Sequence, residues 1–390
     1  MIIKLKNLIN YFLFLIISSF IKNKKAAYVP GTMLIIRLDA IGDYILFRNF
    51  IRVVKEDEKY KNYKITLCGN IIWKDLAESL DKKFIDSFLW IDRKKFYGNI
   101  IYKYSILKEV SRRKFEVVVN PTYTREILYG DEIVWASNAA LRIGNQGVLD
   151  KHAKWKRNLF TDNYYTKLLP AGNENLFEFY RNKEFFENFL EKKINLARPI
   201  IETAKLKTSI KLSGNYAVIF PGAKDGKRIW SYLNFIKVAN YLINNWGVKI
   251  VIPGAAAEKE LTGKIVGGLI DQSKVIDLTG KTSLTELTQI IGGARILISN
   301  ETGAVHIAAA VGTAFLCISN GNHLGRFNPY PADIFERAFY IYPDEVKKEI
   351  ERGSAVINEL RFDSEIDINK ISAGEVIEEL EIIMSKFSNN

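Results

Sequence analysis

The sequence predicts an α/β protein built from two doubly wound parallel sheets, and two observations carry this prediction. Each half of the chain opens with a buried strand, a glycine-containing turn and a helix whose apolar residues have helical spacing. Each half then continues with short apolar runs separated by helical patterns, an alternation typical of parallel sheets covered by helices. We therefore expect two domains whose sheets present the carboxyl ends of their strands to a cleft, where such sheets bind ligands.

The composition is that of a globular protein with a basic surface. A chain of 390 residues is long for one core, and two domains suit it best. The shares of hydrophobic residues (48%) and charged residues (26%) exclude collagen-like, disordered and disulfide-rich classes. A net charge of +12 predicts attraction to anions, whether nucleotide phosphates, acidic lipids or nucleic acid. Cys68 and Cys317 lie in apolar, strand-like runs, which predicts free buried thiols and a reducing compartment.

Residues 1–30 form an apolar and basic extension. The apolar run at 8–21 has 14 residues, too few to span a bilayer comfortably. Lysines flank it on both sides: Lys4, Lys6, Lys22, Lys24 and Lys25. Lysines directly after an apolar run are poorly suited to an export signal. Two alternatives remain, an anchor at the membrane interface with its lysines near anionic headgroups, and a helix packed on the protein's own surface.

The first domain is expected over residues 31–205. It opens with a strand at Met33–Leu38, the turn DAIGD and a helix at Tyr44–Val54, and the strand-like runs YKITLCG and EVVVNP follow. A weakly patterned stretch at 196–214, punctuated by glycine and proline, is expected to contain the hinge.

The second domain is expected over residues 206–345. A strand at Tyr216–Phe220, the loop PGAKDGKR and a helix at Ile229–Leu242 open it, and the strand-like runs VKIVIPG, KVIDLTG, ILISN and GTAFLCIS follow. The remaining segment, 346–390, contains a helix expected to pack back on the body. Its apolar face comprises Val376, Leu380, Ile383, Met384 and Phe387.

The segment SNETGAVHIAAA, residues 299–310, has the pattern of an anion site at the start of a helix. Thr302 is a good amino-terminal cap, and Gly303 lets a ligand approach the backbone. The amides of Thr302, Gly303 and Ala304 would point outward with the positive end of the helix dipole. His306 lies one turn further on the same face, so its ring is expected to reach the same anion.

Glu301, directly before this cap, would be repelled by phosphate but can accept hydrogen bonds from hydroxyl groups. A phosphate on one side and hydroxyls on the other indicate a sugar phosphate. The alternative is a simple cap at Thr302 with a solvated glutamate and a core histidine at His306.

Three motifs resemble, in order, those of glycosyltransferase family 9, the heptosyltransferases of bacterial lipopolysaccharide assembly. They are MLIIRLDAIGDYIL, VIFPGAKDGKRIW and SNETGAVHIAAAVG, and the resemblance spans residues 33 to about 331. It implies a GT-B architecture, in which two Rossmann-like domains face a cleft. It also implies an inverting mechanism that needs no metal and no cofactor, with a nucleotide-diphosphate sugar as substrate.

The resemblance assigns the general base to Asp43. A carboxylate at this turn can take the proton of an acceptor hydroxyl. Asp39 is the rival, on the acceptor side, and either aspartate could instead be a turn residue bonded to its own backbone. The leaving diphosphate needs cations and amides in place of a metal. The family's basic residue two positions before the tryptophan falls on Arg228, and one extra loop residue leaves Lys227 as an alternative.

The resemblance assigns Thr302, Gly303, Ala304 and His306 to the donor diphosphate and Glu301 to the donor sugar.

Nucleoside-binding residues are also implied by the resemblance. Glu258 matches a family glutamate that contacts the ribose, and the segment 277–284, with Thr279 and Gly280, resembles the loop beneath the base. A solvated glutamate and an ordinary turn are the alternatives.

Two departures from the heptosyltransferase pattern concern the donor. Glu301 stands where an aspartate is common, so the sugar need not be heptose. The loop 320–331 also differs, and His323 or Arg326 in it are candidates for donor contact.

On the acceptor side, the basic run KHAKWKRN, with Lys154 and Arg157, could dock an acidic or phosphorylated glycolipid. A solvated charged face is the alternative.

The sequence therefore predicts a glycosyltransferase that moves heptose or a related sugar from an ADP-heptose-like donor to a lipid-linked saccharide such as lipopolysaccharide. We expect a cytoplasmic protein, peripheral on the inner face of the bacterial inner membrane. A non-catalytic nucleotide-sugar-binding scaffold and a sugar-nucleotide epimerase are the alternatives. The absence of G-x-G-x-x-G after the first strand disfavours an oxidoreductase. Dispersed basic residues without a recognised module disfavour nucleic acid as a partner.

Overall fold

The structure, a computed structural model, divides into two compact units. It describes residues 13–14, 16–21, 28–126, 128–147, 161–172, 176–210, 212, 214–352, 360 and 363–388. Unit 1 extends to residue 174 and resumes at 179–196, and unit 2 comprises 175–178 and 197–390. The boundary thus falls at the start of the predicted hinge, before the boundary expected at residue 205. Residues 346–390 belong to unit 2.

Unit 1 has a six-stranded parallel sheet of order β3-β2-β1-β4-β5-β6 among the described residues. The strands are β1 (Val29–Arg37), β2 (Lys64–Asn70), β3 (Ser87–Ile91), β4 (Phe115–Asn120), β5 (Leu141–Asn145) and β6 (Lys167–Leu169). The helices are α1 (Ile41–Phe47), α2 (Asn49–Lys55), α3 (Lys74–Leu80), α4 (Arg93–Gly98), α5 (Ile100–Arg113), α6 (Gly130–Ser137) and α7 (Glu178–Leu190). The central strands are continuous apolar runs because helices cover parallel sheets on both faces.

Unit 2 repeats this arrangement with the order β12-β11-β10-β7-β8-β9. The strands are β7 (Tyr216–Phe220), β8 (Lys249–Gly254), β9 (Val275–Thr279), β10 (Ile296–Asn300), β11 (Phe315–Ile318) and β12 (Ala338–Ile341). The helices are α8 (Tyr232–Trp246), α9 (Lys259–Gly267), α10 (Leu284–Gly292), α11 (Gly303–Val311), α12 (Asp344–Arg352) and α13 (Ala373–Ser388). The predicted fold class of two doubly wound parallel sheets is confirmed.

The helix expected at Tyr44–Val54 is divided into α1 and α2. The division falls at Arg48, whose guanidinium is buried against Asp81 with Nη2 2.6 Å from Oδ1. The spacing of apolar residues did not predict this buried ion pair between Arg48 and Asp81. Cys68 and Cys317 are free and buried, as expected.

The described part of the amino-terminal apolar run packs into unit 1. Phe14, Ile17 and Ile21 are buried in its core, and the Phe14 ring lies edge-on to Trp135 at 5.1 Å. This packing favours the surface-helix alternative for residues 13–21, although Phe20 remains exposed. Among the described residues, no helix combines the length and the apolarity needed to cross a bilayer.

The carboxyl-terminal helix α13 is part of the unit 2 core. Four residues of its predicted apolar face, Val376, Leu380, Ile383 and Met384, are fully buried with residues of α8 and the sheet. The side chain of Phe387, the fifth residue of that face, lies outside the described part of the chain.

Two adjacent isoleucines of α13 provide a matched test of this packing. Replacing the buried Ile383 with alanine should lower the free energy of unfolding by about 2–5 kcal/mol, because it leaves a cavity in the core. Ile382 is 51% exposed, and its replacement with alanine should change stability by less than about 0.5 kcal/mol. Denaturant titration of both variants measures the difference. Equal losses would contradict this orientation of the helix.

Candidate donor and catalytic sites

In unit 2, α11 starts directly after β10, with Thr302 as its cap. Thr302 has an extended backbone, and its hydroxyl accepts a hydrogen bond from the Ala304 amide at 3.2 Å. This is the predicted cap. The first amides of a helix have no partner within it, and the dipole makes that end attractive to anions. Thr302, Gly303 and Ala304 therefore lie at a helix terminus suited to a phosphate.

The buried side chain of Asn300 fastens the neighbouring loop to the end of β10. Its amide nitrogen donates to the Pro221 carbonyl at 2.6 Å, and its amide oxygen accepts from the Trp230 backbone N–H at 3.3 Å. The Trp230 indole in turn donates to the Ile371 carbonyl at 2.8 Å. The loop between β7 and α8 is thus held at both of its ends.

This loop brings Arg228 to Glu301. The Arg228 Nη1 atom donates to the Glu301 carbonyl at 3.4 Å and lies 4.0 Å from its carboxylate Oε1. Lys227, on the same 3₁₀ turn, instead pairs its ammonium with Glu365. Of the two basic residues left open by the sequence, the geometry therefore favours Arg228.

The Glu301 carboxylate is enclosed and held by partners. The residue is 5% exposed, so the alternative of a solvated glutamate is wrong. The Ser319 hydroxyl donates to Oε2 at 2.8 Å, and the His323 Nδ1 atom lies 3.3 Å from Oε1. Together with Arg228, these groups fix the carboxylate next to the start of α11.

His306 is packed beneath this site. Its Nδ1 atom lies 2.8 Å from the Tyr330 hydroxyl, and its ring packs edge-on against Phe327. Burial lowers the pKa of His306 to about 3, so the ring is neutral at physiological pH. The expectation that His306 holds the diphosphate is not supported by this geometry, which matches the alternative of a core histidine.

Arg326, in the loop 320–331, also has a structural partner. Its Nε atom donates to the buried Glu178 carboxylate at 3.0 Å, and the Glu178 backbone N–H donates to the Arg326 carbonyl at 2.8 Å. The side chain and the carbonyl of Arg326 therefore both hold Glu178, which belongs to unit 2 as well. Of the two candidates in this loop, only His323 lies against Glu301.

Glu258 lies over the carboxyl ends of β7 and β8. Its Oε2 atom accepts from the Ala255 backbone N–H at 2.7 Å. A Cβ atom added to Gly222 would lie 1.6 Å from Oε1, so only glycine leaves this space to the carboxylate. The position at the strand ends agrees with the predicted contact to a ribose.

In the loop 279–281, the backbone allows a ligand to approach closely. Gly280 is exposed, with φ +70°, and its N–H donates to the Gly254 carbonyl at 2.8 Å. Thr279 is buried, and its hydroxyl is directed at the Ile252 carbonyl at 3.5 Å. The Thr279 side chain therefore supports the loop, and a direct nucleoside contact from its hydroxyl is not supported.

In unit 1, two carboxylates share the buried guanidinium of Arg37. The Arg37 Nη2 atom lies 3.3 Å from Asp43 Oδ1, and Nε lies 3.0 Å from Asp39 Oδ2. Nη1 donates to the Asn182 Oδ1 atom of α7 at 3.1 Å. Asp43 also caps α1, since its Oδ2 accepts from the Ala40 backbone N–H at 3.2 Å. The bond from Ala40 is the turn contact of the alternative for Asp43, and both aspartates in addition pair with Arg37.

A small cavity adjoins Asp39 at the carboxyl ends of β1 and β4. It is lined by Ile36, Leu38, Asp39, Asn120, Thr122, Glu126, Tyr129 and Gly130. The Thr122 hydroxyl donates to Asp39 at 3.4 Å. The acceptor candidates Lys154 and Arg157 lie outside the described residues.

Sequence reasoning missed Arg37, Asn300 and Ser319. Arg37 carried a signal, because an arginine inside the apolar strand MLIIRL must be buried and therefore needs partners. Asn300 and Ser319 carried none, since their partners come from distant segments.

Residues 173–339 match the model of glycosyltransferase family 9 (heptosyltransferase). The chain carries a glycosyltransferase family 9 domain. The match contains the second and third of the three motifs and confirms the predicted family resemblance, and it agrees with the predicted enzyme class.

The chain is also similar to curated heptosyltransferases. Lipooligosaccharide heptosyltransferase 2 of Haemophilus ducreyi is 33% identical over 94 residues, which cover 23% of this chain and 27% of the relative. The matched segments of the first such relatives thus span only about a quarter of their length. Lipopolysaccharide heptosyltransferase 3 of Escherichia coli is 23% identical over 287 residues, covering 71% of this chain and 80% of that protein.

A solved structure extends the likeness to both units. E. coli heptosyltransferase WaaC with ADP-2-deoxy-2-fluoro heptose superimposes with a TM-score of 0.66 at 14% identity, covering 90% of this chain and 99% of that chain. Identity this low shows the fold, which is the predicted GT-B architecture of two Rossmann-like domains.

The buried neutral His306 predicts a dependence of stability on pH. In the unfolded chain its ring takes up a proton near pH 6.5, whereas in the folded protein it does so only near pH 3. The stability contributed by the neutral ring is therefore lost as the pH falls below about 6.5. By pH 5 the loss should be about 2 kcal/mol.

Denaturant unfolding of the wild type and of His306→Gln at pH 7.5 and pH 5 measures this loss of stability. The difference in unfolding free energy between the two proteins should shrink by this amount, because the other titrating groups contribute equally to both. A difference that does not change with pH would contradict a neutral buried ring.

Proposed function

We propose that the protein is an inverting, metal-independent glycosyltransferase. It moves heptose or a related sugar from a nucleotide-diphosphate donor to lipopolysaccharide or another lipid-linked saccharide. One observation carries this proposal: the Arg228 guanidinium, the enclosed Glu301 carboxylate and the start of α11 meet at the end of β10. A cation and main-chain amides suit a diphosphate, and a carboxylate beside them suits sugar hydroxyls.

On the donor side, the reaction needs stabilisation of a leaving diphosphate. As the bond between the anomeric carbon and the diphosphate oxygen breaks, negative charge grows on that oxygen. Arg228, the amide of Gly303 and the positive end of the α11 dipole provide fixed positive potential for it. Glu258, above the ends of β7 and β8, accepts hydrogen bonds from the ribose hydroxyls, and the backbone at Gly280 adjoins the base.

The nucleotide we propose is ADP. The support comes from E. coli WaaC, whose structure contains ADP-2-deoxy-2-fluoro heptose, and from the family match of the donor unit. The nucleotide sugar is a substrate, and the proposal includes no cofactor.

On the acceptor side, Asp43 of unit 1 is the general base. The acceptor oxygen attacks the anomeric carbon and forms the new glycosidic bond while its proton passes to the Asp43 carboxylate. Direct displacement by one nucleophile inverts the anomeric configuration. The Arg37 guanidinium, whose Nη2 donates to Asp43 Oδ1 at 3.3 Å, keeps the carboxylate oriented for this step.

The acceptor is proposed to be an acidic lipid-linked saccharide at the inner face of the bacterial inner membrane. A net charge of +12 supports attraction to such a surface. The predicted basic run around Lys154 and Arg157 would contribute to this attraction from a cytoplasmic, peripheral protein.

Adjacent basic residues provide a matched test of the donor site. Arg228→Met should weaken ADP binding about 10- to 100-fold, because it removes a charge-assisted contact to phosphate. Lys227→Met should leave it within about twofold, since its ammonium is paired with Glu365. Thermal shift titrations with a panel of ADP, UDP, GDP and their sugars measure these affinities and identify the base. Equal losses in the two variants, or no nucleotide that stabilises the wild type, would contradict the donor site.

The two aspartates on Arg37 provide the test of catalysis. Asp43→Asn should lower the turnover number by about 10²- to 10⁴-fold, because an amide cannot accept the proton, while donor affinity stays unchanged. Asp39→Asn should retain turnover within about tenfold. Transfer from ADP-heptose to a lipopolysaccharide acceptor is measured by mass spectrometry of the product. A larger loss of turnover in Asp39→Asn than in Asp43→Asn would make Asp39 the base. A wild type that binds the donor but does not transfer the sugar would indicate a non-catalytic scaffold.

A further inference from the structure

His323 has a backbone conformation that side chains adopt at a cost. Its φ is 57°, in the left-handed region, where a residue other than glycine is disfavoured by about 1–2 kcal/mol. Histidine, asparagine and aspartate tolerate this region better than most residues do. Such strain persists where the surroundings impose it, and it is concentrated at functional sites.

The surrounding loop imposes this conformation through its own hydrogen bonds. The backbone N–H groups of Arg326 and Phe327 donate to the His323 carbonyl at 3.0 and 3.1 Å. The buried Asn328 side chain donates to the Asn322 carbonyl at 2.7 Å. Asn328 itself accepts from the hydroxyl of Tyr342 at 2.8 Å. The His323 ring is therefore held by a rigid loop.

The Nδ1 atom of this ring lies against two groups. It is 3.3 Å from Glu301 Oε1 and 2.9 Å from the side-chain nitrogen Nδ2 of Asn322. A carboxylate can only accept, so Nδ1 must carry the proton to bond Glu301. The Asn322 amide can then turn its oxygen to the same proton, because a half-turn exchanges its oxygen and nitrogen.

The Glu301 side chain needs such restraint. It has one more rotatable bond than the aspartate that is common at this position, and each free rotor that a ligand must fix lowers affinity. Ser319 holds one carboxylate oxygen at 2.8 Å, and His323 approaches the other. Two restraints on two oxygens compensate for the longer side chain.

We propose that His323 is a positioning residue for donor-sugar recognition. Through Nδ1–H it fixes the Glu301 carboxylate so that its remaining lone pairs face the hydroxyls of the sugar. The inference rests on the proposed function, in which Glu301 contacts the sugar and Arg228 the diphosphate. It assigns His323 to selection of the sugar and not to binding of the nucleotide.

Three substitutions separate this role from a direct donor contact. His323→Asn places an amide N–H near the position of Nδ1, His323→Gln places one near Nε2, and His323→Gly removes both. Glycine and asparagine also accept the left-handed backbone, so these two variants should fold. Thermal unfolding of each variant without ligand checks this.

The affinities of ADP and of ADP-2-deoxy-2-fluoro-heptose are then measured by calorimetry. We expect His323→Gly and His323→Gln to reduce the preference for the sugar analogue over ADP about tenfold, with ADP affinity unchanged. His323→Asn should keep this preference. In a Glu301→Gln background, His323→Gly should have no further effect, because the two residues act as one unit.

The opposite results would overturn the inference. Rescue by glutamine and not by asparagine would mean direct contact through Nε2, and an equal loss of ADP affinity would mean a role in the fold of the loop. A wild type that binds the analogue no better than ADP would refute the proposed donor, and the inference with it. A wild type with the preference and a His323→Gly variant that retains it would refute the inference alone.

Nuclear magnetic resonance of the imidazole nitrogens tests the proton position without any ligand. The chain has three histidines, so the His323 signals can be assigned from the variant that lacks them. At pH 8, where an ordinary imidazole is neutral, we expect the ring proton on Nδ1 in the wild type and a changed tautomer balance in Glu301→Gln. A proton on Nε2 in the wild type would contradict the contact with Glu301.

Discussion

The candidate donor site depends on one buried side chain, the amide of Asn300. A fully buried amide is costly unless its donor and acceptor are satisfied, so its bonds to Pro221 and Trp230 are strongly maintained. They join the end of β10 to the loop that precedes α8. Arg228 therefore approaches Glu301 from a loop fixed at both ends, which preorganises a cation next to a carboxylate and a helix terminus.

In unit 1, a buried and hydrogen-bonded side chain likewise positions the two carboxylates. Arg37, 1% exposed, lies at the end of β1, and its guanidinium is surrounded by Asp39, Asp43 and Asn182. A buried charge is tolerated because it is paired and hydrogen-bonded. The two aspartates are thereby held in fixed positions, as a proton acceptor in an enzyme requires. In both units, a buried polar side chain thus determines where the groups of the candidate site lie.

Local patterns predicted the fold and part of the site. The alternation of strand and helix depends on periodicity over a few residues, which a single sequence contains. The cap at Thr302 and the glycine at Gly280 are likewise local, because a helix start and a positive φ depend on immediate neighbours. His306 shows the limit of this reasoning. Its helical spacing placed it on the face of Thr302, but the packing of Phe327 and Tyr330 around it decides that it is neutral and enclosed.

The sequence by itself determined that two parallel α/β sheets form and that Thr302 caps a helix, and it made Asp43, Arg228 and Glu301 candidates for the site. Only the tertiary structure paired Lys227 with Glu365 and placed Arg228 beside Glu301. It also attached Arg326 to Glu178 and brought Ser319 and His323 to Glu301. The physical reason is that capping, periodicity and turn chemistry act between residues a few positions apart. The partner of a buried charge comes from whichever distant segment the packing of the sheet brings beside it.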